Sequence, residues 1–316
     1  MQLQTQIPLK KQPHHQIDYN SKLLLLGSCF SENIGDKLAY FKFQSVVNPF
    51  GILFHPKAIE KLITDAINQK TYSEEDIFSH NELWHSFDAH SSLSSSDKNE
   101  LIENLNSAIN STFQQLKEAS HIVITLGTAW VYRFIETDSF VANCHKITQK
   151  KFLKEILSVD EISESLESII ALIKSVNNKA SIILTVSPVR HLKDGFIENQ
   201  QSKAHLLSAI HTIVEPRKNS HYFPSYEIMM DELRDYRFYT EDMIHPNQTA
   251  VNYIWGKFQF SWISENANTT MNSVDTIQKG LAHRPFNPNT EQHQQFLKNL
   301  QQKKETLQKA FPFIQF

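Results

Sequence analysis

Four short runs of apolar or β-branched residues, most of them followed by a helix-length amphipathic stretch, constrain this chain more than anything else in it. The first, Leu23–Leu26, is apolar at every position, as a strand covered on both faces must be. Phe30, Ile34, Leu38 and Phe41 then recur at spacings of four, four and three, which predicts a helix starting just past Cys29. The same grammar returns downstream. "QSVVN" at 44–48 reads as a short strand, and Pro56 sits in the first turn of a helix that carries Ile59, Leu62, Ile63, Ala66 and Ile67 on one face. Asp97 and Glu100 form an aspartate capping box ahead of Leu101, Leu105, Ala108 and Ile109. "HIVITLG" and "SIILTVSP" read as two more buried strands, separated by a helix through Ile162, Leu166, Ile169 and Ile173. Strands alternating with helices imply right-handed crossovers and a mostly parallel sheet covered on both faces.

The expected architecture is therefore α/β: a three-layer α/β/α sandwich over residues 20–265. A segment of residues 1–19 precedes it and a C-terminal helical extension of residues 266–316 follows. That extension reads as a polar connection and one last helix, with Phe296, Leu297, Leu300, Leu307 and Phe311 as its apolar side. It could dock on the sandwich or on a second copy, which makes a homo-oligomer through the C-terminal helix an expectation. A chain of 316 residues, 40% hydrophobic, can fill a core of this size. Its net charge of −3 gives no general footprint for nucleic acid or an anionic membrane. The first 20 residues contain no apolar stretch of signal-peptide length, so the expected location is cytoplasmic and Cys29 and Cys144 are read as thiols.

Ligands of open parallel sheets gather at the carboxyl ends of the strands. Those ends carry Gly27-Ser28-Cys29, Asn48-Pro49-Phe50-Gly51, Gly127-Thr128-Ala129 and Ser187-Pro188-Val189-Arg190-His191. Ser28 and Cys29 are both candidate nucleophiles, and both equally suit a plain strand-to-helix turn. Among fifteen histidines, His245 alone has an aspartate three positions earlier, Asp242, and it precedes a late helix through Val251, Ile254 and Trp255. An imidazole on that loop can reach across the strand ends while Asp242 orients it; capping the helix is the plainer role. A thiol at a helix N-terminus beside a histidine is expected to have a depressed pKa. Cys144 and His145 lack metal-ligand spacing and read as structural or substrate-contacting, so no metal or other cofactor is expected. Arg133 and Arg190, near strand ends, suit either an anionic substrate group or an ion pair. His85 and His90 fall in what reads as a polar surface loop, and "DELRDYR" at 231–237 reads as a solvated helix face.

The stretch Gly27-Ser28-Cys29-Phe30-Ser31 resembles the signature of the GSCFA-domain family, with serine in place of its final alanine. "VVNPFGILFHP", "LGTAWVYR", "CHK" at 144–146, "TVSPVRHLKDGF" and "YFPSYEIMMDELRDYRFYTEDMIHP" are similar to that family too, so the resemblance covers most of residues 22–260. The family in turn resembles the SGNH, or GDSL-like, hydrolases. That resemblance places Cys29 at the nucleophile position and Ser28 where an aspartate would stand. It puts the glycine block near Asn48 or Gly51, and it puts Gly127 and Thr128 on the Gly-x-Asn-Asp block, with Thr128 in place of an oxyanion-hole asparagine. Asp242 and His245 match the superfamily's Asp-x-x-His without substitution. The implied function is a hydrolase of ester bonds, an esterase or acyltransferase acting on a small-molecule or carbohydrate ester through a Cys/Ser-His-Asp site. Gly51, Asn48, Gly127 and Thr128 would line its oxyanion hole, and Arg133, Arg190 and His145 would contact substrate. The alternative is a non-catalytic binder of acylated or carbohydrate ligands on a degenerate hydrolase fold.

Overall fold

A computed structural model of the chain describes residues 5–316. Of the N-terminal segment 1–19, residues 1–4 lie outside the described residues. The elements run β1 (Lys22–Gly27), α1 (Cys29–Tyr40), β2 (Gln44–Val47), α2 (Pro56–Ile67), β3 (Phe78–His80), β4 (Leu83–His85), α3 (Lys98–Glu118) and β5 (His121–Leu126). They continue through β6 (Trp130–Phe134), β7 (Ser139–Val141), β8 (Phe152–Ile156), α4 (Val159–Val176), β9 (Ser181–Val186), α5 (Phe196–Ile213), β10 (Ser220–Tyr222) and α6 (Ser225–Glu227). Last come α7 (Gln248–Trp262), α8 (Glu265–Ala282) and α9 (Glu291–Ala310).

The apolar runs pair as a five-stranded, all-parallel sheet in the order β10-β9-β5-β1-β2. Because side chains alternate across a strand, each run serves two cores. Leu24 and Leu26 of β1, Ile122 and Ile124 of β5, and Ile182 and Leu184 of β9 face a core shared with α2, α3, α4 and α5. Leu23, Leu25, Val123 and Ile183 face the opposite core, shared with α1, α7, α8 and α9. That arrangement is the expected three-layer α/β/α sandwich. The chain leaves β1 for β2 on one side and returns to β5 on the other, so the strand order reverses between β1 and β5, where such sheets open a crevice.

Several local details differ from expectation. Asp97 caps α3 by accepting from the Asn99 and Glu100 amides, but the Glu100 carboxylate takes the Ser95 hydroxyl instead of the Asp97 amide, so the capping box is half formed. Residues 265–282 are the helix α8, not a polar connection. Ala267, Met271, Val274 and Ile277 recur on its buried side, and polar residues between them mask the period. α9 buries Leu300 and Leu307, Leu300 against Gly280 of α8, whereas Phe296 and Leu297 stay largely exposed. The antiparallel sheet β7-β6-β8 and the hairpin β3-β4 were not read from the sequence. His85 lies in that hairpin and is buried, with Nε2 on the His80 carbonyl (3.0 Å), so it does not sit in a surface loop. In "DELRDYR" the Glu232 side chain is fully buried rather than solvated. It ends a single π-helical turn, Ile228–Glu232, and it binds Lys257 Nζ (2.9 Å), the Tyr253 hydroxyl and the Ile7 amide (2.7 Å). The N-terminal segment is also tied to the junction of α7 and α8, where Ile17 exchanges backbone hydrogen bonds with Trp262 and Ser264.

Candidate active site

Gly27 closes β1 with φ +133°, and a Cβ there would lie 2.1 Å from the Thr125 carbonyl oxygen, so only glycine fits. Ser28 and Cys29 then separate in role. Ser28 is the N-cap of α1: it is 1% exposed, and its hydroxyl accepts from the Phe30 amide (3.3 Å). Cys29, the first helical residue, is half-buried with a free thiol. Its pKa is pushed up, not down as expected. Burial is the main cause and the Glu32 carboxylate adds to it; the Lys203 charge and the amides of Cys29 and Phe30 pull the other way.

The β2 end turns on Asn48, held in the left-handed region at φ +44°. Its Oδ1 accepts from the Gly27 amide (2.9 Å), which fixes the carboxamide beside the β1 end, and its Nδ2 is buried without a hydrogen-bond partner among the described residues. The other residues expected to line an oxyanion site have their donors engaged. Gly51 donates to the Asn48 carbonyl (2.8 Å), while Gly127 and Thr128 both donate to the Phe54 carbonyl (2.7 and 3.2 Å). The Thr128 hydroxyl accepts from the Trp130 amide (3.0 Å) and is bonded to the Ser202 hydroxyl (3.0 Å), which pins the loop after β5 to α5.

Asp242 and His245 form a compact loop. Asp242 Oδ2 accepts from His245 Nδ1 at 2.6 Å, while its Oδ1 accepts from the Thr240 hydroxyl (2.6 Å) and the amides of Ile244 (2.8 Å) and His245 (3.0 Å). Those bonds, the Thr240 hydroxyl first, hold the carboxyl well below the usual carboxylate range. With Nδ1–H directed at Asp242, Nε2 of this exposed ring is the basic nitrogen. The Arg190 amide donates to the Ile244 carbonyl (3.2 Å), which joins the loop to the β9 end. No side-chain hydrogen bond joins Cys29 to His245 among the described residues; both lie at the carboxyl edge of the sheet.

Two residues between them were not picked out as site residues from the sequence. Lys203 of α5 has no solvent exposure, and its Nζ donates to the carbonyls of Gly127 (2.7 Å) and Ser187 (2.7 Å), the residues just past β5 and β9. Burial pulls its pKa down to about 7 against the raising effect of the Cys29 charge. A signal existed: Asn199, Ser202, Lys203, Leu206 and Ile210 share the buried stripe of α5. His191, noted earlier only as part of a strand end, sits against Gly127 with a buried, unpartnered Nε2. Burial first, then the charges of Lys203 and His245, pulls its pKa down to about 3.

The expected substrate contacts divide. Arg190 lies over the Tyr239 ring (4.2 Å) and the Tyr236 ring (5.2 Å) at the wall of a cleft of about 520 Å³, with no carboxylate partner among the described residues. Arg133 is paired with Glu155 and Asp138 on the β6-β8 sheet. His145 is buried, with Nε2 on the Ser86 carbonyl (2.7 Å), and burial takes its pKa down to about 4. Burial pushes the neighbouring Cys144 thiol up to about 11. Among the described residues no group of three or more His, Cys, Asp or Glu is placed to hold a metal ion, and no helix is long and apolar enough to cross a membrane.

Residues 22–258 match the model of the GSCFA family, and residues 274–316 match that of the GSCFA domain protein, C-terminal domain. A comparison with curated proteins finds none that matches the chain.

Proposed function

On the premise that the chain belongs to the GSCFA family, we propose that it is an ester hydrolase or acyltransferase working through Cys29, His245 and Asp242. The observation that carries this reading is the Asp242–His245 pair at 2.6 Å, with Nε2 left without a hydrogen-bond partner among the described residues on the edge of the sheet where Cys29 begins α1. An aspartate on Nδ1 fixes the tautomer and stabilises the imidazolium, the part it plays in nucleophile–histidine–carboxylate sites and in the SGNH hydrolases that the sequence resembles. Ser28 is sealed beneath the helix as a cap, which favours the thiol as nucleophile.

In this reading Nε2 takes the Cys29 proton as Sγ bonds to the acyl carbon. The carbonyl becomes an oxyanion, and Asn48 Nδ2 is the spare donor nearest the β1 end that can receive it. Collapse of that intermediate breaks the bond to the leaving alcohol, which takes the proton from Nε2. Water or an acceptor alcohol then releases the acyl group from sulfur by the reverse proton traffic. The cleft beside Arg190, with its tyrosines, is where the non-acyl part of a small-molecule or carbohydrate ester would lie. The protein would act in the reducing cytoplasm, where both cysteines stay thiols.

Steady-state hydrolysis of p-nitrophenyl acetate and of an O-acetylated sugar, followed well past one equivalent, tests this. Sustained turnover is expected, falling by about 10³-fold or more in Cys29→Ala and in His245→Ala but far less in Cys144→Ala. Saturable binding of the acetylated sugar without turnover would overturn catalysis in favour of a carbohydrate-ester binder.

A further inference from the structure

A buried lysine without a carboxylate is costly, because the ammonium loses its hydration and gains only neutral partners. Lys203 is such a residue: it is fully enclosed, two carbonyl oxygens hold its Nζ at 2.7 Å each, and the Tyr226 ring faces it at 5.7 Å. An ammonium has three N–H groups, so one is left over. The other charges near this end of the sheet do not supply its counter-ion. Glu32 lies on α1 and acts on Cys29 and His90, Asp242 is taken by His245 (2.6 Å), His191 and His245 are bases, and Lys154 on β8 and Asp194 pair with each other (2.5 Å). What remains is Cys29. The strand just before it, β1, pairs directly with β5, Ser28 N donates to the Thr125 carbonyl (3.0 Å), and Gly127, which anchors Lys203, is two residues further on.

We propose that Lys203 is a positioning residue that sets the charge of the nucleophile: pinned to the Gly127 and Ser187 carbonyls, its ammonium is the buried counter-ion of the Cys29 thiolate. The proposal rests on Cys29 being the reactive group of the site above and adds what makes it reactive. Burial and Glu32 both oppose a thiolate at residue 29, and Lys203 is the side-chain cation that acts against them. The effect is reciprocal. A thiolate at Cys29 raises the proton affinity of Lys203, so the two ionisations are coupled. His245 then receives the thiol proton and passes it to the leaving group, while Lys203 keeps its own.

The test is the pH dependence of Cys29 alkylation by iodoacetamide in a Cys144→Ala background, compared with the same protein carrying Lys203→Met. Loss of an opposite charge at close range is expected to move the alkylation midpoint up by about one to three pH units. That is at least a tenfold lower rate at neutral pH. A merely structural lysine would leave the midpoint where it is, and that result overturns the proposal. Should Lys203→Met fail to fold, the reciprocal measurement decides. In ¹³C-lysine spectra the Lys203 titration must fall to lower pH in Cys29→Ala, and an unchanged titration overturns the pair. The two proposals fail separately: ester turnover that needs Cys29 and His245, with an alkylation midpoint indifferent to Lys203, removes only the pair. A shifted midpoint without ester turnover removes only the acyl-transfer reading.

Discussion

Two regions of this molecule bury charge, and they do it in opposite ways. At the π-helical turn the Glu232 carboxylate is surrounded by a matching ammonium, a phenol and a backbone amide. At the carboxyl end of the sheet the Lys203 ammonium has two carbonyls and the Tyr226 ring at 5.7 Å, but no carboxylate among the described residues. Asn48 Nδ2 and His191 Nε2 at the same end are buried with no hydrogen-bond partner among the described residues. Since buried polar groups in folded proteins are almost always satisfied, the first region is complete as it stands. The second leaves polar groups unmatched among the described residues. On the proposed function, the first region serves stability and the second the chemistry at Cys29.

That contrast is easiest to break with Glu232→Ala, which removes the anion from a matched set. It should cost about 3 kcal/mol of unfolding free energy in denaturant melts while leaving the Cys29 alkylation rate of the folded protein unchanged. Asn48→Ala should do the reverse. Turnover of an ester substrate is expected to fall by about 10²-fold, or about 2.7 kcal/mol in the transition state, with a smaller loss of stability because only the Oδ1 bond to Gly27 disappears. A comparable stability loss in both variants would erase the distinction. The smallest effect concerns pH. The folded-state pKa of Lys203, about 7, lies below the ordinary 10.5, so above pH 7 the unfolded chain binds the extra proton. Stability from this group must therefore rise with pH, by about 1–2 kcal/mol between pH 7 and 8.5, and that rise should be missing in Lys203→Met.

The sequence disclosed the parts of this fold that repeat. Leu23–Leu26, "HIVITL" and "SIILTV" are legible because strands covered on both faces must be apolar throughout, and the helices over Ile59–Ile67 and Ile162–Ile173 are legible by their period. Asp242 and His245 are legible because their interaction is local, spanning three residues. What escaped is either short or depends on distant partners. Three-residue strands such as Phe78–His80 and Ser220–Tyr222 carry too little pattern. Whether Thr128 or Asn48 keeps a free donor is decided by Ser202 and Gly27, far away in the chain. Lys203 and Glu232 escaped for a related reason: on a helix a charged residue normally faces water, and only the packed neighbours reveal that these two do not.

The hydrogen bond from the Ile7 amide to Glu232 joins positions 225 residues apart, and its consequence lies in biosynthesis. At about 5–20 residues per second, roughly 10–45 s pass between the emergence of the two ends of that bond from the ribosome. The two faces of the sheet are also clothed on different schedules. Helices α2 to α5 reach their face as the strands appear, whereas Leu23 and Leu25 meet α1 early but wait for α7 and α8, beyond residue 247. A nascent or prematurely ended chain therefore presents one finished side and one apolar side covered by α1 alone. Quality control in the cell would meet this protein first through that half-covered face.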